Sequence, residues 1–329
     1  MATNDQNSYV IGVDVGGTKV AAGFVNNAGE ISEVVRVKMV SDADAAAGLN
    51  SVTGAIDQLL KMGQERGWAV GAIGICAPGP LDPNTGVVIN PPNVTCWRNF
   101  PLADEISRRY KLPVKIENDA NAAALAEVLW GAGKGFSKVF YVSIGTGIGT
   151  GFILDGHIYN GRTGAAPEGG HVSIDYKGPV CGCGKRGCIE VFASGPAIAK
   201  RAQAMLAAAN VQHSSMLDLA NGQIAAITSE HVIQANAAGD PMAKATLVET
   251  IELLSVFLGN TIDLLEPDVI VIGGGVAAVL KPFFEDIRNR IPDWCVNSRN
   301  REIPLVSAHY GASSGIAGGA ALCRQLLAG

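Results

Sequence analysis

Charge is sparse in this sequence: Asp, Glu, Lys and Arg make up 17% of its 329 residues, and 25 basic against 30 acidic side chains leave a net charge of −5. No basic block occurs, so there is no electrostatic footprint for nucleic acid or for an anionic membrane surface. Also lacking is any uninterrupted apolar run near the roughly 18 residues of a spanning helix, and the first eight residues show neither the positive charge nor the apolar stretch of a targeting segment. A cytosolic protein is the expectation. Low-complexity linkers are absent too, while 48% hydrophobic residues offer enough apolar surface to order the whole chain. At about 100 to 200 residues per domain, the length points to two domains. Cysteines are few, seven in all, and Cys181, Cys183 and Cys188 fall within eight residues while the other four are scattered singly. Such crowding favours a metal site over a disulfide framework.

What is present reads as α/β. Strand patterns cover 9–15, 19–25 and 31–37, joined by glycine and asparagine turns. Leu49, Val52, Ile56, Leu59 and Leu60 then fall at three- and four-residue steps, which predicts a helix ending near Gly67, with a strand over 72–76 after it. The same grammar returns 128 residues later, Gly17-Thr18 matching Gly145-Thr146 and Gly23-Phe24-Val25 matching Gly151-Phe152-Ile153. A duplicated meander predicts two related α/β halves. Between them, 114–116 reads as a strand and 120–130 as a helix. Further on, Leu247, Ile251, Leu254, Leu258, Ile262 and Leu265 form an apolar stripe that starts behind Asp240-Pro241 and stops at Glu266-Pro267; a strand over 269–272 then runs into Gly273-Gly274-Gly275.

Five stretches carry chemistry. Asp14-Val15-Gly16-Gly17-Thr18-Lys19 fits two readings: an ordinary Gly-Gly hairpin turn, or a hairpin whose exposed N–H groups meet phosphate while Asp14 holds a metal ion or its water. It is not a P-loop, since the Gly-x4-Gly-Lys spacing is missing and a strand follows. In residues 145–151, Gly145, Gly147, Gly149 and Gly151 strip one face of a strand, so something packs closely there. Gly273-Gly274-Gly275-Val276-Ala277-Ala278 has Gly-x-Gly-x-x-Ala spacing but lacks the acidic residue about twenty positions on that a dinucleotide site needs, and is expected to be a nucleotide-contact loop. In Glu117-Asn118-Asp119, Asp119 either caps the following helix or accepts a hydroxyl proton, with Asn118 on a neighbouring hydroxyl. His171, Cys181, Cys183 and Cys188 suffice for a closed, structural zinc site of Cys3His type, with Gly182, Gly184 and Gly187 supplying the bends; the alternative is reduced cysteines in a glycine-rich loop. Zinc on one ring nitrogen of His171 would leave the other facing a ligand and hold Glu190 on the same knuckle.

Together with Ala77-Pro78-Gly79-Pro80-Leu81-Asp82, Pro92-Asn93, Glu168-x-x-His171 and Cys188-x-Glu190, these stretches resemble the ROK family of sugar kinases, bacterial glucokinase type, from about residue 9 to 322. The resemblance implies an actin-like (ribonuclease H-like) ATPase fold of two α/β domains flanking a cleft. The expected division is a small domain over 1–118, completed by a C-terminal helix at about 312–329, and a large domain over 119–311 with the zinc knuckle at 171–190. It further implies transfer of the ATP γ-phosphoryl group to the 6-hydroxyl of a hexose, glucose first, with mannose, fructose, glucosamine or N-acetylmannosamine as alternatives. Asp119 is implied as the catalytic base, and Asn93, Asn118, Asp119, Glu168, His171 and Glu190 as hexose ligands. Asp14, Gly16, Gly17, Thr18 and Lys19, with Gly145, Thr146 and Gly147, are implied as phosphate-binding elements, and Gly273, Gly274 and Gly275 as a nucleotide-side loop. ATP, Mg2+ and structural Zn2+ are the implied cofactors, and a homodimer or homotetramer the implied assembly. Sugar-responsive repressors of the same family carry an N-terminal helix-turn-helix, which eight residues before the first strand would not hold. Two places depart from the family pattern: Pro167 and Gly169 flank Glu168 where glycine and a bulky aliphatic are usual, and Ser313-Ser314 stand where an acidic residue is frequent.

Overall fold

A computed structural model describes residues 8–209 and 213–328. The first seven residues, on which the reading of no targeting segment rests, lie outside the described residues. In chain order the first elements are β1 (Ser8–Val15), β2 (Lys19–Val25), β3 (Ile31–Lys38), α1 (Ala45–Arg66), β4 (Ala69–Ala77), the short pair β5 (Leu81–Asp82) and β6 (Val87–Val88), α2 (Leu102–Tyr110), β7 (Val114–Asn118) and α3 (Asp119–Trp130). There follow β8 (Lys138–Ile144), β9 (Ile148–Leu154), β10 (His157–Ile158), α4 (Glu190–Ala193), α5 (Gly195–Ala209), α6 (Ser215–Leu219), α7 (Ser229–Ala237), α8 (Pro241–Leu265), β11 (Val269–Gly273), α9 (Gly275–Leu280), α10 (Phe284–Arg290), β12 (Leu305–Ser307) and α11 (Ser314–Ala328).

The first sheet has the order β3-β2-β1-β4-β7 and the second β10-β9-β8-β11-β12. Position by position these orders coincide, as a duplicated meander predicts. β1 pairs antiparallel with β2 and parallel with β4, and β4 pairs parallel with β7. Local signals account for the boundaries. Gly67 ends α1 in the left-handed conformation at φ 68°, which glycine adopts without a Cβ penalty. Asp240 caps α8 by accepting the N–H groups of Met242 (2.9 Å) and Ala243 (3.0 Å), with Pro241 at the first helical position. α8 is long and apolar enough to cross a membrane by length and composition, with 61% of its apolar window buried inside the protein.

The chain divides into two compact units, residues 1–141, 151–167 and 312–329 in the first and 142–150 and 168–311 in the second. The division differs from the expected break at 118/119. Its cause is α3: Ala120, Ala122, Ala123, Ala124 and Ala126 are buried all round the helix. A Cβ on Gly318 of α11 would lie 2.8 Å from the Ala122 carbonyl carbon, and one on Gly151 of β9 would lie 2.8 Å from Ala124 Cβ. The helix is therefore built into the first unit.

Within that unit both sheet faces are covered. Ile11 and Val13 of β1 join Ile56 and Leu59 of α1 and Ile106 of α2 in one core, while Val10, on the alternate face, joins Ile316, Ala320 and Cys323 of α11. α11 approaches closely because glycine meets glycine: a Cβ on Gly12 would run into the Ile316 carbonyl, and one on Gly74 into the Gly319 carbonyl.

Candidate active site

In the first unit the expected groups gather at the carboxyl ends of β1 and β7. The Gly16 N–H donates to the Lys19 carbonyl (2.9 Å) and closes the hairpin turn. A Cβ on Gly17 would sit 2.7 Å from the Asn93 carbonyl oxygen, so the turn lies directly against Asn93. Asp14, at the end of β1, faces the start of α11, where Gly315 leaves room for its carboxyl group. Burial first, then the neighbouring Asp119 carboxylate, push Asp14 up to about 6, against the pull of Lys19. Two acids are thus held near one another, with Lys19 countering the charge of Asp14.

Asn118, not Asp119, is the helix cap. Its backbone keeps an extended ψ of 143° and its Oδ1 accepts the N–H groups of Ala120 (3.0 Å) and Asn121 (3.4 Å). Asp119 already belongs to the first turn, and its Oδ1 accepts the Ala120 N–H at 2.7 Å. Released from capping, the Asp119 side chain is open to solvent. Protein mass around it raises its carboxyl above the usual aspartate range, and the Ala120 N–H works the other way. A carboxylate oriented by one hydrogen bond and reached by solvent can take a proton from an alcohol.

Behind it, Glu117 is 1% exposed and accepts the Asn118 N–H (2.8 Å), Asn160 Nδ2 (2.9 Å) and Asn121 Nδ2 (3.4 Å). Burial raises its pKa, while these donors oppose the shift. The Asn121 amide also donates to the Ala166 carbonyl (3.1 Å), and its own Oδ1 is buried without a partner. Sequence reasoning saw Glu117 and Asn121 only as neighbours of Asp119; Asn160 carried no signal at all, because its partners Asn121 and Glu117 are 39 and 43 residues distant.

In the second unit, the ligand atoms of His171, Cys181, Cys183 and Cys188 all lie within 4.8 Å of one another. Cys183 Sγ and Cys188 Sγ are 3.7 Å apart, and Cys181 Sγ is 3.7 Å from His171 Nδ1. Zinc–sulfur bonds of about 2.3 Å at tetrahedral angles give an edge of about 3.8 Å, which these two spacings match, and the chemistry of the donor set fits zinc. Burial and the bonds from Cys183 and Cys181 push Cys188 up to about 12. With Nδ1 toward the sulfurs, His171 turns Nε2 toward Glu168 Oε2, 4.0 Å away. Glu190 starts α4 from the same knuckle, its Oε1 3.8 Å from Cys181 Sγ and its Oε2 accepting the Ile148 N–H at 3.0 Å. The knuckle is therefore tied to the turn at Gly145, Thr146 and Gly147; a Cβ on Gly147 would lie 2.6 Å from Glu190 Oε2. That contact, with Gly151 against α3, accounts for two of the alternating glycines.

A cavity of about 480 Å3 opens beside the same turn, lined by Gly145 and Thr146, by Gly195, Pro196 and Ala199 of α5, by residues 227–230, and by Gly275 and Val276 of α9. Gly274 adopts φ 92° and backs onto the end of β8, where a Cβ would lie 2.7 Å from the Ile144 amide nitrogen. The two glycine stretches of this half thus meet at one cavity. Sequence reasoning missed its α5 and α7 walls. The available signals were Ser194-Gly195-Pro196, a helix opening with proline at its start, and Thr228, which caps α7 in a capping box with His231.

The ROK family model matches residues 10–326. The glucokinase of Streptomyces coelicolor is 33% identical over 316 residues, 96% of this chain and 97% of that protein. The glucokinase of Thermotoga maritima is 31% identical over 320 residues, 97% of this chain and 98% of that one. Among solved structures, a ROK family glucokinase from Streptomyces griseus in complex with glucose and AMPPNP superimposes with a TM-score of 0.82 at 34% identity, covering 96% of this chain and 99% of its own.

Proposed function

Since the chain belongs to the ROK family and has its actin-like ATPase fold, we propose that it is a hexose kinase that transfers the γ-phosphoryl group of ATP to the 6-hydroxyl of a hexose, glucose foremost. The observation that carries this reading is Asp119: a carboxylate freed from capping by Asn118, oriented by the Ala120 N–H and open to solvent. Asp119 takes the proton of the 6-hydroxyl as that oxygen forms its bond to the γ-phosphorus and the bond to ADP breaks. The transition state of such transfers is loose, so alignment and charge neutralisation outweigh base strength, and Asp119 need only be ionised and close.

The apolar wall of Pro196, Ala199, Ile227 and Val276 suits a nucleobase, and the N–H groups of the Gly145 to Gly147 turn suit phosphate. Asp14 is the carboxylate that would hold Mg2+ or its water, and that ion, when bound with ATP, supplies neutralisation of phosphate charge. Asn93, Asn118, Glu168, His171 and Glu190 are assigned to the hexose hydroxyls. His171, Cys181, Cys183 and Cys188 would hold zinc, whose part is structural. Placement in the cytosol and assembly as a homodimer or homotetramer belong to the same reading.

A coupled assay with glucose, mannose, fructose, glucosamine and N-acetylmannosamine, each with ATP or polyphosphate, tests it. The expected result is hexose-dependent ADP release, greatest with glucose, and a 6-phosphate product. No hexose-dependent release with any sugar, or phosphorylation at another hydroxyl, refutes it.

A further inference from the structure

The loop that carries Glu168 and His171 has no conventional helix cap of its own: it is a single 3-10 turn over Gly169–His171, and Glu168 makes no side-chain capping bond. It is held by β9 instead. The Gly169 N–H donates to Thr150 Oγ1 at 2.8 Å, and Thr150 is 3% exposed. At Gly169 a Cβ would lie 2.8 Å from both Thr150 Cγ2 and Oγ1, so the threonine side chain occupies the space that a side chain at 169 would need. At Gly170 a Cβ would run into the Ile148 carbonyl. Two residues before Thr150, the Ile148 N–H holds Glu190. Strand residues 148 and 150 therefore meet both elements that carry expected hexose ligands.

We propose that Thr150 is a positioning residue for hexose recognition. This rests on the kinase reading above. Thr150 fixes the 168–171 turn by one buried hydrogen bond and by filling the volume vacated at Gly169, and so sets where Glu168 and His171 present their polar atoms. The departure at Gly169 then has a physical counterpart: side-chain volume is carried by the strand rather than by the turn. Thr150 touches neither hexose nor nucleotide in this account, so its substitution acts on hexose affinity through the turn and leaves the cavity beside Gly145 as it was.

The test compares the full-length chain with Thr150→Val and Thr150→Ser, measuring hexose affinity by calorimetry, KM for hexose and ATP, kcat, and bound zinc. Valine keeps the shape and leaves the Gly169 N–H without an acceptor, for which hexose affinity should fall about tenfold or more, in the range for an orphaned buried donor. ATP KM and zinc content should hold, and Thr150→Ser should restore hexose affinity. Unchanged hexose affinity in Thr150→Val, or an equal loss for hexose and ATP, overturns the role of Thr150 alone. Should the unsubstituted chain bind no hexose by calorimetry, the kinase reading falls and this proposal with it. Where Thr150→Val yields no folded protein, Gly169→Ala and the double substitution Thr150→Ala/Gly169→Ala decide: Gly169→Ala should weaken hexose binding and the double should recover part of it, whereas additive losses overturn the proposal.

Discussion

The hairpin of β1 and β2 and the hairpin of β8 and β9 hold matching places in two sheets of identical order, yet they carry opposite chemistry. The first ends in Asp14, beside Asp119, and its carboxyl is driven up to about 6 by burial and by that neighbour. In the second, a neutral turn of Gly145, Thr146 and Gly147 is braced by Glu190 from a thiol-rich knuckle and borders a largely apolar cavity. A duplicated scaffold thus does not duplicate a site. Backbone N–H groups recur because the hairpin recurs, whereas carboxylates and thiols appear only where one half requires them. In the proposed reaction, the first half supplies the catalytic carboxylate Asp119, the metal-holding Asp14 and the hexose ligands Asn93 and Asn118, and the second supplies the nucleobase cavity and the hexose ligands Glu168, His171 and Glu190.

Substitutions confined to one half should therefore leave the properties of the other intact. The largest effect is expected at Asp119→Asn, with at least ~100-fold loss of turnover, the low end for a positioned base, while hexose affinity and zinc content persist. Steady-state kinetics and calorimetry on the same preparation check this, and turnover equal to that of the unsubstituted chain removes Asp119 from the mechanism.

On the other side of the comparison, Cys183→Ser should release zinc and lower hexose affinity at least about tenfold, since loosening a metal shell costs that much or more. Elemental analysis and hexose titration are the measurements. A variant that loses zinc but binds hexose normally would show that the knuckle is separate from the site.

A smaller change is expected for Gly315→Ala. The added methyl group meets the Asp14 carboxyl group and should destabilise the first unit by about 1 to 3 kcal/mol, the usual cost of overpacking. Denaturant unfolding reads it, with zinc retention as the control for the second unit.

The smallest concerns Asp14→Asn in the metal-free protein. The carboxyl has a folded-state pKa of about 6 against 3.8 for the ordinary side chain. The folded protein therefore holds this proton more tightly than the unfolded chain, and ionisation works against folding. The penalty is fully present above about pH 6 and vanishes as pH falls below about 4, where both states are protonated. Thermal melts should show a gain for Asp14→Asn at pH 7.5 of some part of the roughly 3 kcal/mol that the shift corresponds to at most, since the asparagine amide is itself desolvated, shrinking toward zero by pH 4. A gain that grows on acidification would reverse the assigned cause, and phosphoryl transfer should fall in the same variant at every pH.

Legibility in the sequence followed the range of the interactions. The meander, the helix ending at Gly67, the Asp240-Pro241 start of α8 and the four-donor knuckle are written in neighbours, or in residues at most seventeen positions apart, and spacing alone reveals them. Asn118 and Asp119 show where spacing fails. Both are good caps, and only the extended backbone at Asn118 assigns the cap to it and frees the aspartate. The cavity walls from α5 and residues 227–230 were hidden for a different reason, since each segment supplies three or four unremarkable residues whose meeting has no local signature.

By itself the sequence determined the α/β class, the twofold repeat and the cluster of four metal-ligating side chains, because hydrophobic period, turn glycines and short ligand spacings act through the chain over a few residues, and its motifs carried the resemblance to the ROK family. Tertiary structure alone decided that α3 belongs with the first unit, that glycines 12, 74 and 319 let α11 lie against the sheet, and that Thr150 fills the place left at Gly169. Those outcomes depend on close packing between segments distant in sequence, where tenths of an ångström decide what fits, and no local pattern encodes such distances.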